Sequence, residues 1–384
     1  MVKLLSDRGR ERIQEMEKKD RTHNRERMAD PEELDLKPLQ ALHPDQIGDV
    51  DELLGSMSQT AFGGRRLGEA LDVLQAMVED PECHVVATMS GAMTVAKMSG
   101  VICTMIDKGW IDSLISTGAL MAHGFVESIG LRHYKYERDK MSDEWLCRQG
   151  LNRVYDTLEP ELNFLQAEKV LNDALQELLQ SDRHLCSQKV CRAVGRHLSE
   201  NYPGKGVLKS AYEQDVSVYI PAFTDSELAL DMAMGILARN PEFANEEAYP
   251  GDLPFQFNPF LDLFHYTRRV MPAKKLGIFT IGGGVPRNWA QQLGPFVELA
   301  SRKLDNIDWQ GFKRFHYGVR ICPEPEHWGG LSGCSYQEGV SWGKFISPEQ
   351  GGLFAEVHCD ATIAWPLLVK GLLQRQEKGS KHKT

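Results

Sequence analysis

The sequence predicts an α/β fold with a doubly wound, mostly parallel sheet flanked by helices. Three observations predict it. Six short apolar runs recur along the chain, each of strand length and none long enough for a buried helix. Stretches with helical apolar spacing lie between them. Most of the runs stop at Ser, Thr, Asp or Gly just before the next helix, which is the chemistry of a strand-to-helix turn.

The elements follow in chain order. Residues 1–34 read as a charged N-terminal arm, since 6–33 carry both charge signs densely and hold no Phe, Trp or Tyr. A single body is predicted from 35 to 376, beginning near Leu39-Gln40-Ala41-Leu42. Leu67, Leu71, Val73-Leu74 and Met77 mark a helix. His84–Met89 reads as a buried strand, broken by Ser90-Gly91-Ala92, with helix to about Lys108. Ile111–Thr117 is a second strand, ending in Thr117-Gly118-Ala119. Val216–Ile220 is a third, stopped by Pro221 and followed by Thr224-Asp225-Ser226. The fourth is Lys275–Ile281, ending in Gly282-Gly283-Gly284. Phe315–Ile321 and Leu353–His358 complete the set, the last ending at Asp360. Helices are predicted at 163–182, 185–200, 226–239 and 361–376, and 377–384 is a basic tail. In such sheets ligands bind at the carboxyl ends of the strands, beside helix N-termini.

Bulk properties narrow the function. The chain has 384 residues, 42% of them hydrophobic, which is enough for a substantial core. Acidic residues outnumber basic ones 54 to 44, for a net charge of −10. That argues against a nucleic-acid partner, which needs a basic face, and suits a protein that binds cations. Cysteines stand at 83, 103, 147, 186, 191, 322, 334 and 359 with no C-x-x-C pair, so no metal site is predicted. Several lie in apolar runs, as reduced thiols of a cytoplasmic protein do. The N-terminus lacks the apolar stretch of a secretory signal. No uncharged apolar run approaches the roughly 18 residues of a membrane span.

Lys344 is the leading candidate for chemistry. It sits between Trp342-Gly343 and Phe345-Ile346. Partial burial lowers a lysine's pKa, and a free amine forms imines. The plainer reading is a snorkelling side chain. Bare backbone at Gly282-Gly283-Gly284-Val285-Pro286 can approach a phosphate or a nicotinamide, or can serve only as a turn. It is not a G-x-G-x-x-G fingerprint. Asp225 and Asp360 stand at strand-to-helix junctions, fit to bind ribose hydroxyls or to cap a helix. Asp231 lies among Leu228, Leu230, Met232 and Met234, so its carboxylate calls for an internal partner or a cationic ligand. Glu338 precedes Trp342 by four residues; a carboxylate beside an indole cradles an alkylammonium group. A buried Trp beside a surface Glu is the alternative.

Together these motifs resemble the deoxyhypusine synthase family, over roughly residues 35 to 376. The resemblance is carried by Glu338-Gly339-Val340-Ser341-Trp342-Gly343-Lys344, Asp360-Ala361, Pro366-Leu367-Leu368, Pro221-Ala222-Phe223-Thr224-Asp225, Gly282-Gly283-Gly284-Val285-Pro286 and Asn152-Arg153. It implies a Rossmann-like, cytoplasmic, NAD-dependent transferase that moves a 4-aminobutyl group from spermidine to an acceptor amine. NAD would accept a hydride, Lys344 would carry the butylamine chain as an imine, and NADH would reduce the final imine. By motif match, Ser90, Gly91, Thr94, Thr117, Gly118, Ala119, Asp225, Gly282, Gly283, Asp360 and Ala361 would contact NAD. Asp231, Asn288, Glu338, Trp342 and Lys344 would form the polyamine site. The resemblance also implies a homotetramer with sites between subunits.

Three places depart from the family. Its acidic pair is replaced by Ala122 and His123, its histidine after G-G-G-V by Asn288, and its acid in a G-S-D run by Leu331. Each lost charged contact to a cation costs about 1.5–3 kcal/mol unless replaced. The acceptor is therefore open between a protein lysine and a small amine. A homospermidine synthase using putrescine and a non-catalytic NAD or polyamine binder are the alternatives.

Overall fold

The computed structural model describes residues 31–245, 253–307, 309 and 313–381. Six parallel strands form the central sheet: β1 (Cys83–Met89), β2 (Ser113–Ser116), β3 (Ser217–Tyr219), β4 (Lys275–Ile281), β5 (Phe315–Ile321) and β6 (Leu353–Val357). Their order is β6-β5-β4-β1-β2-β3. The chain winds outward from β1 to β3, crosses back to lay β4 beside β1, and winds outward again. This is a doubly wound α/β sheet, with its switch point between β1 and β4.

Side chains alternate between the two faces of each strand, and two core layers result. Val85, Ala87, Met89, Leu114, Val218, Phe279, Ile281, Val319, Ile321, Ala355 and Val357 join one layer. Val86, Ile115, Tyr219, Leu276, Ile278 and Phe315 join the other. The first layer is covered by helices including Phe62–Glu79, Glu227–Leu237 and Ala361–Lys381. The second is covered by Phe260–Val270, Gly284–Gln291 and Leu293–Lys303, with Tyr336 and Phe345. Both faces are buried, so β1 and β4 read as near-continuous apolar runs rather than alternating ones.

The structure revises several predicted boundaries. No helix begins at residue 92; the chain turns until Ser99, and Ser99–Asp107 is helical. Asn152-Arg153, which the resemblance likens to a turn of the family, forms none here. Both lie on strand Leu151–Val154 of a small antiparallel sheet with Thr157–Pro160 and Tyr134–Lys135. The last helix runs on to Lys381, through much of the expected basic tail. One of its cations is used in pairing: Lys378 Nζ lies 2.9 Å from Asp49, 3.2 Å from Asp51 and 3.4 Å from Glu52. The predicted charged arm lies outside the described residues except for 31–34, which enter a turn. Among the described residues, no helix is long and apolar enough to cross a membrane.

Candidate active site

The strand register brings the carboxyl ends of the sheet level. Met89 pairs with Ser116 and Ile281, and Ile321 with Ile281 and Val357. The residues expected to contact a cofactor follow these ends. Ser90 bridges the switch point: its Oγ donates to Ile281 O (3.2 Å) and accepts from Gly283 N (3.0 Å). A Cβ on Gly283 would stand 2.6 Å from Ser332 Cα, so only glycine lets that loop close over the turn. Thr117 caps the Gly118–Gly124 helix, and its Oγ1 donates to Gly91 O at 3.3 Å. Gly118 is forced by close approach, since a Cβ there would lie 2.2 Å from Ser226 Cβ. Thr94 is buried and donates to Leu120 O (2.8 Å), so its hydroxyl is used internally. Ala119 is partly exposed on the first turn of the same helix. Asp225 is exposed in the turn after β3. Asp360 accepts from Thr362 N and Oγ1, both at 2.7 Å, and Ala361 beside it is buried. Asp360 is thus a helix cap in this chain, with its second carboxylate oxygen left for a ligand.

The residues expected to bind a polyamine divide into two groups. The lysine group lies on the second core layer. Lys344 is held by its backbone: its N–H donates to Gly339 O (3.0 Å) and its carbonyl accepts from Phe315 N (2.9 Å). Its Nζ reaches Asn288 Oδ1 at 3.2 Å and lies 5.9 Å from the Trp342 ring centroid. Trp342 itself is 68% exposed, an open platform for a second cation. Burial holds the Lys344 ammonium below its ordinary pKa, and the charge on Arg287 adds to the effect; Cys334 and Glu338 pull the other way. Glu338 is exposed, and its Oε1 accepts from Cys334 Sγ at 3.5 Å. Asn288 occupies the place where a histidine was expected, and it can accept from the lysine without competing for its proton.

Asp231 belongs to the other face. Its helix, Glu227–Leu237, buries Leu228 and Met232 in the first layer. Burial pushes the Asp231 carboxyl up to about 6, and the like charges of Glu168 and Glu227 add to it. Glu168 also lines an open cleft of about 850 Å3 beside Met232 and Arg239. The Lys344 loop packs with the second layer and the Asp231 helix with the first, so the two approach the sheet from opposite faces.

Two groups escape sequence reasoning. Arg287 and Arg320, 3% and 1% exposed, both donate to Cys334 O (2.8 and 2.6 Å), and Arg320 donates to Ser332 O (2.6 Å). They pin the turn containing Leu331, which is 47% exposed where an acid was expected. Arg287 follows the glycine turn and Arg320 lies within a strand; an arginine ordinarily reads as surface, so no local signal marks them. The second group surrounds His123. Its Nδ1 lies 2.5 Å from Glu159 Oε2, and Glu159 comes from the small antiparallel sheet.

Comparison with known proteins agrees with this architecture. The family model described as deoxyhypusine synthase matches residues 52–372. A "Probable deoxyhypusine synthase 2" from Methanosarcina acetivorans is 30% identical over 85% of this chain and 87% of its own length. Another protein of that name, from Archaeoglobus fulgidus, is 30% identical over 83% of this chain and 96% of its own. A "Deoxyhypusine synthase-like protein" from Chlorobaculum parvum is 27% identical over 83% of this chain and 85% of its own. A crystal structure of a candidate deoxyhypusine synthase from Entamoeba histolytica superposes with a TM-score of 0.54. It covers 88% of this chain and 97% of the other at 12% identity, a likeness of fold.

Proposed function

The chain belongs to the deoxyhypusine synthase family, and from that premise we propose that it transfers a 4-aminobutyl group from spermidine to an acceptor amine through an imine on Lys344. The observation that carries the reading is the state of Lys344: half-buried, its pKa lowered, its Nζ on the neutral acceptor Asn288. A neutral amine is what imine exchange requires. Lys344 adds to the carbon of a donor imine, the carbon–nitrogen bond to diaminopropane breaks, and the leaving amine takes the proton that Lys344 gives up. The acceptor amine then repeats the exchange, releasing Lys344 as a free amine.

A nicotinamide dinucleotide would lie over the carboxyl ends of β1 and β4, where bare backbone at Gly91, Gly282 and Gly283 adjoins the N-terminus of the Gly284–Gln291 helix. Asp225 and Asp360 follow the two opposite edge strands, and an exposed carboxylate oxygen on either suits a ribose hydroxyl. NAD held there supplies the hydride acceptor and donor that an aminobutyl transfer needs. Asp231, with Glu168 and Glu227 near it, would hold an ammonium end of the polyamine, and Trp342 with Glu338 another. These groups lie on opposite sides of one sheet, so a complete site would take its lysine and its acid from different copies, as in a homotetramer. All eight cysteines are free thiols, which suits a reducing cytoplasm.

The acceptor amine is either a protein lysine or a small amine such as putrescine. Leu331 opens an uncharged, exposed edge where an acid was expected. Purified protein given NAD and spermidine, with and without putrescine, tests both readings by mass spectrometry of the products. Diaminopropane release that depends on Lys344 is expected, with homospermidine appearing when putrescine is present. No diaminopropane under either condition would overturn the spermidine reading.

A further inference from the structure

We propose that His123, His133 and Glu159 form a binding site for a first-row divalent transition metal, with zinc the best match. The site does not depend on the aminobutyl chemistry. One donor atom from each residue lies within 4.8 Å of the other two. Glu159 Oε2 is 2.5 Å from His123 Nδ1 and 3.4 Å from His133 Nε2. The His133 and Glu159 side chains are 0% and 1% exposed. The three residues come from separate pieces of chain: the Gly118–Gly124 helix, the segment before Tyr134, and strand Thr157–Pro160. Their convergence is therefore a product of the fold and not of local spacing.

A second observation points to a ligand. Glu159 Oε1 and His133 Nε2 are both buried and without a hydrogen-bond partner. Buried polar atoms are rarely left so, because each carries a desolvation cost. A cation among the three side chains would satisfy both. Two imidazoles and one carboxylate suit zinc, cobalt, nickel or ferrous iron; calcium and magnesium prefer oxygen alone. Behind His123, Nε2 faces Glu227 Oε1 at 3.8 Å. A carboxylate in that place holds the proton on Nε2 and leaves Nδ1 free to ligate, an arrangement common behind metal-bound histidines.

Lys97 competes with the metal. Its Nζ lies 2.9 Å from His133 Nδ1, and while it donates there His133 keeps its proton on Nε2. Lys97 also reaches Glu127 Oε1 at 2.6 Å and its side chain is 44% exposed, so it can withdraw to Glu127 when His133 ligates. A bound ion would clip the small antiparallel sheet to the helix that follows β2.

The test uses the full chain with Zn2+ or Co2+ alone. After loading and dialysis, wild type should retain one metal equivalent more than His133→Ala or Glu159→Gln. Each variant should lose at least about tenfold in affinity. The Co2+ form should show ligand-field bands without thiolate charge transfer, which separates this site from the cysteines. Lys97→Met leaves the three donors in place and should bind more tightly than wild type. Equal uptake by wild type and His133→Ala, a thiolate spectrum, or unchanged affinity in Lys97→Met would each overturn the proposal.

Discussion

The two faces of the central sheet handle buried charge in opposite ways. On one, burial and a neighbouring arginine push Lys344 toward its neutral amine. On the other, burial and neighbouring carboxylates push Asp231 toward its neutral acid, to about 6. Each group's charged form is disfavoured by its own surroundings, and on the proposed reading a polyamine would supply each with a partner. The lysine needs an electrophilic carbon; the acid needs an ammonium. One long substrate with both kinds of centre would engage the two faces, and the sheet between them makes a second copy of the chain the simplest way to bring them together.

The largest expected effect breaks the lysine side. Lys344→Ala should lower turnover by on the order of 10⁶-fold, the scale for losing a nucleophile that acts as part of a unit. Polyamine binding, read by calorimetry, should survive. Asp231→Asn should instead weaken amine binding by roughly tenfold to a hundredfold, the worth of a hydrogen bond to a charged group. Mixing the two variants, at spermidine too dilute for Asp231→Asn to turn over, sharpens the comparison. If lysine and acid come from different copies, co-refolded chains gain activity over either variant alone; if one chain supplies both, they do not.

Smaller effects follow the pH. A raised folded-state pKa means that Asp231 favours the fold when protonated. That contribution is complete below the ordinary carboxylate range and is lost as pH rises through about 6. Amine binding runs the other way, since only the ionised carboxylate attracts an ammonium. Spermidine affinity should therefore rise with pH across that range in wild type and stay flat in Asp231→Asn. The smallest effect is on tuning. Burial is the main cause of the lowered Lys344 pKa and Arg287 the next, so Arg287→Met should shift the rate profile toward higher pH and cost a few-fold near neutrality. An unshifted profile would remove Arg287 from the account.

The strands were legible because parallel strands buried on both faces are plain apolar runs, as in Lys275–Ile281. The turn residues after them, Ser90, Thr117 and Gly283, were legible because strand-to-helix turns restrict chemistry. The small sheet was not: Leu151–Val154 and Thr157–Pro160 are four residues each and the second ends in proline. Nor was the separation of Asp231 from Lys344. It follows from which face each covering helix takes, a property of the crossover back to β4 that no local pattern encodes. His133 and Glu159 lay hidden for the same reason, being distant in sequence and joined only by the fold.

Borohydride trapping tests the central claim most directly. Protein incubated with NAD and spermidine, reduced with borohydride and digested, should carry a stable aminobutyl group on the peptide containing Lys344. The adduct should be absent without NAD. An unmodified Lys344, or an adduct on another lysine, would contradict the account.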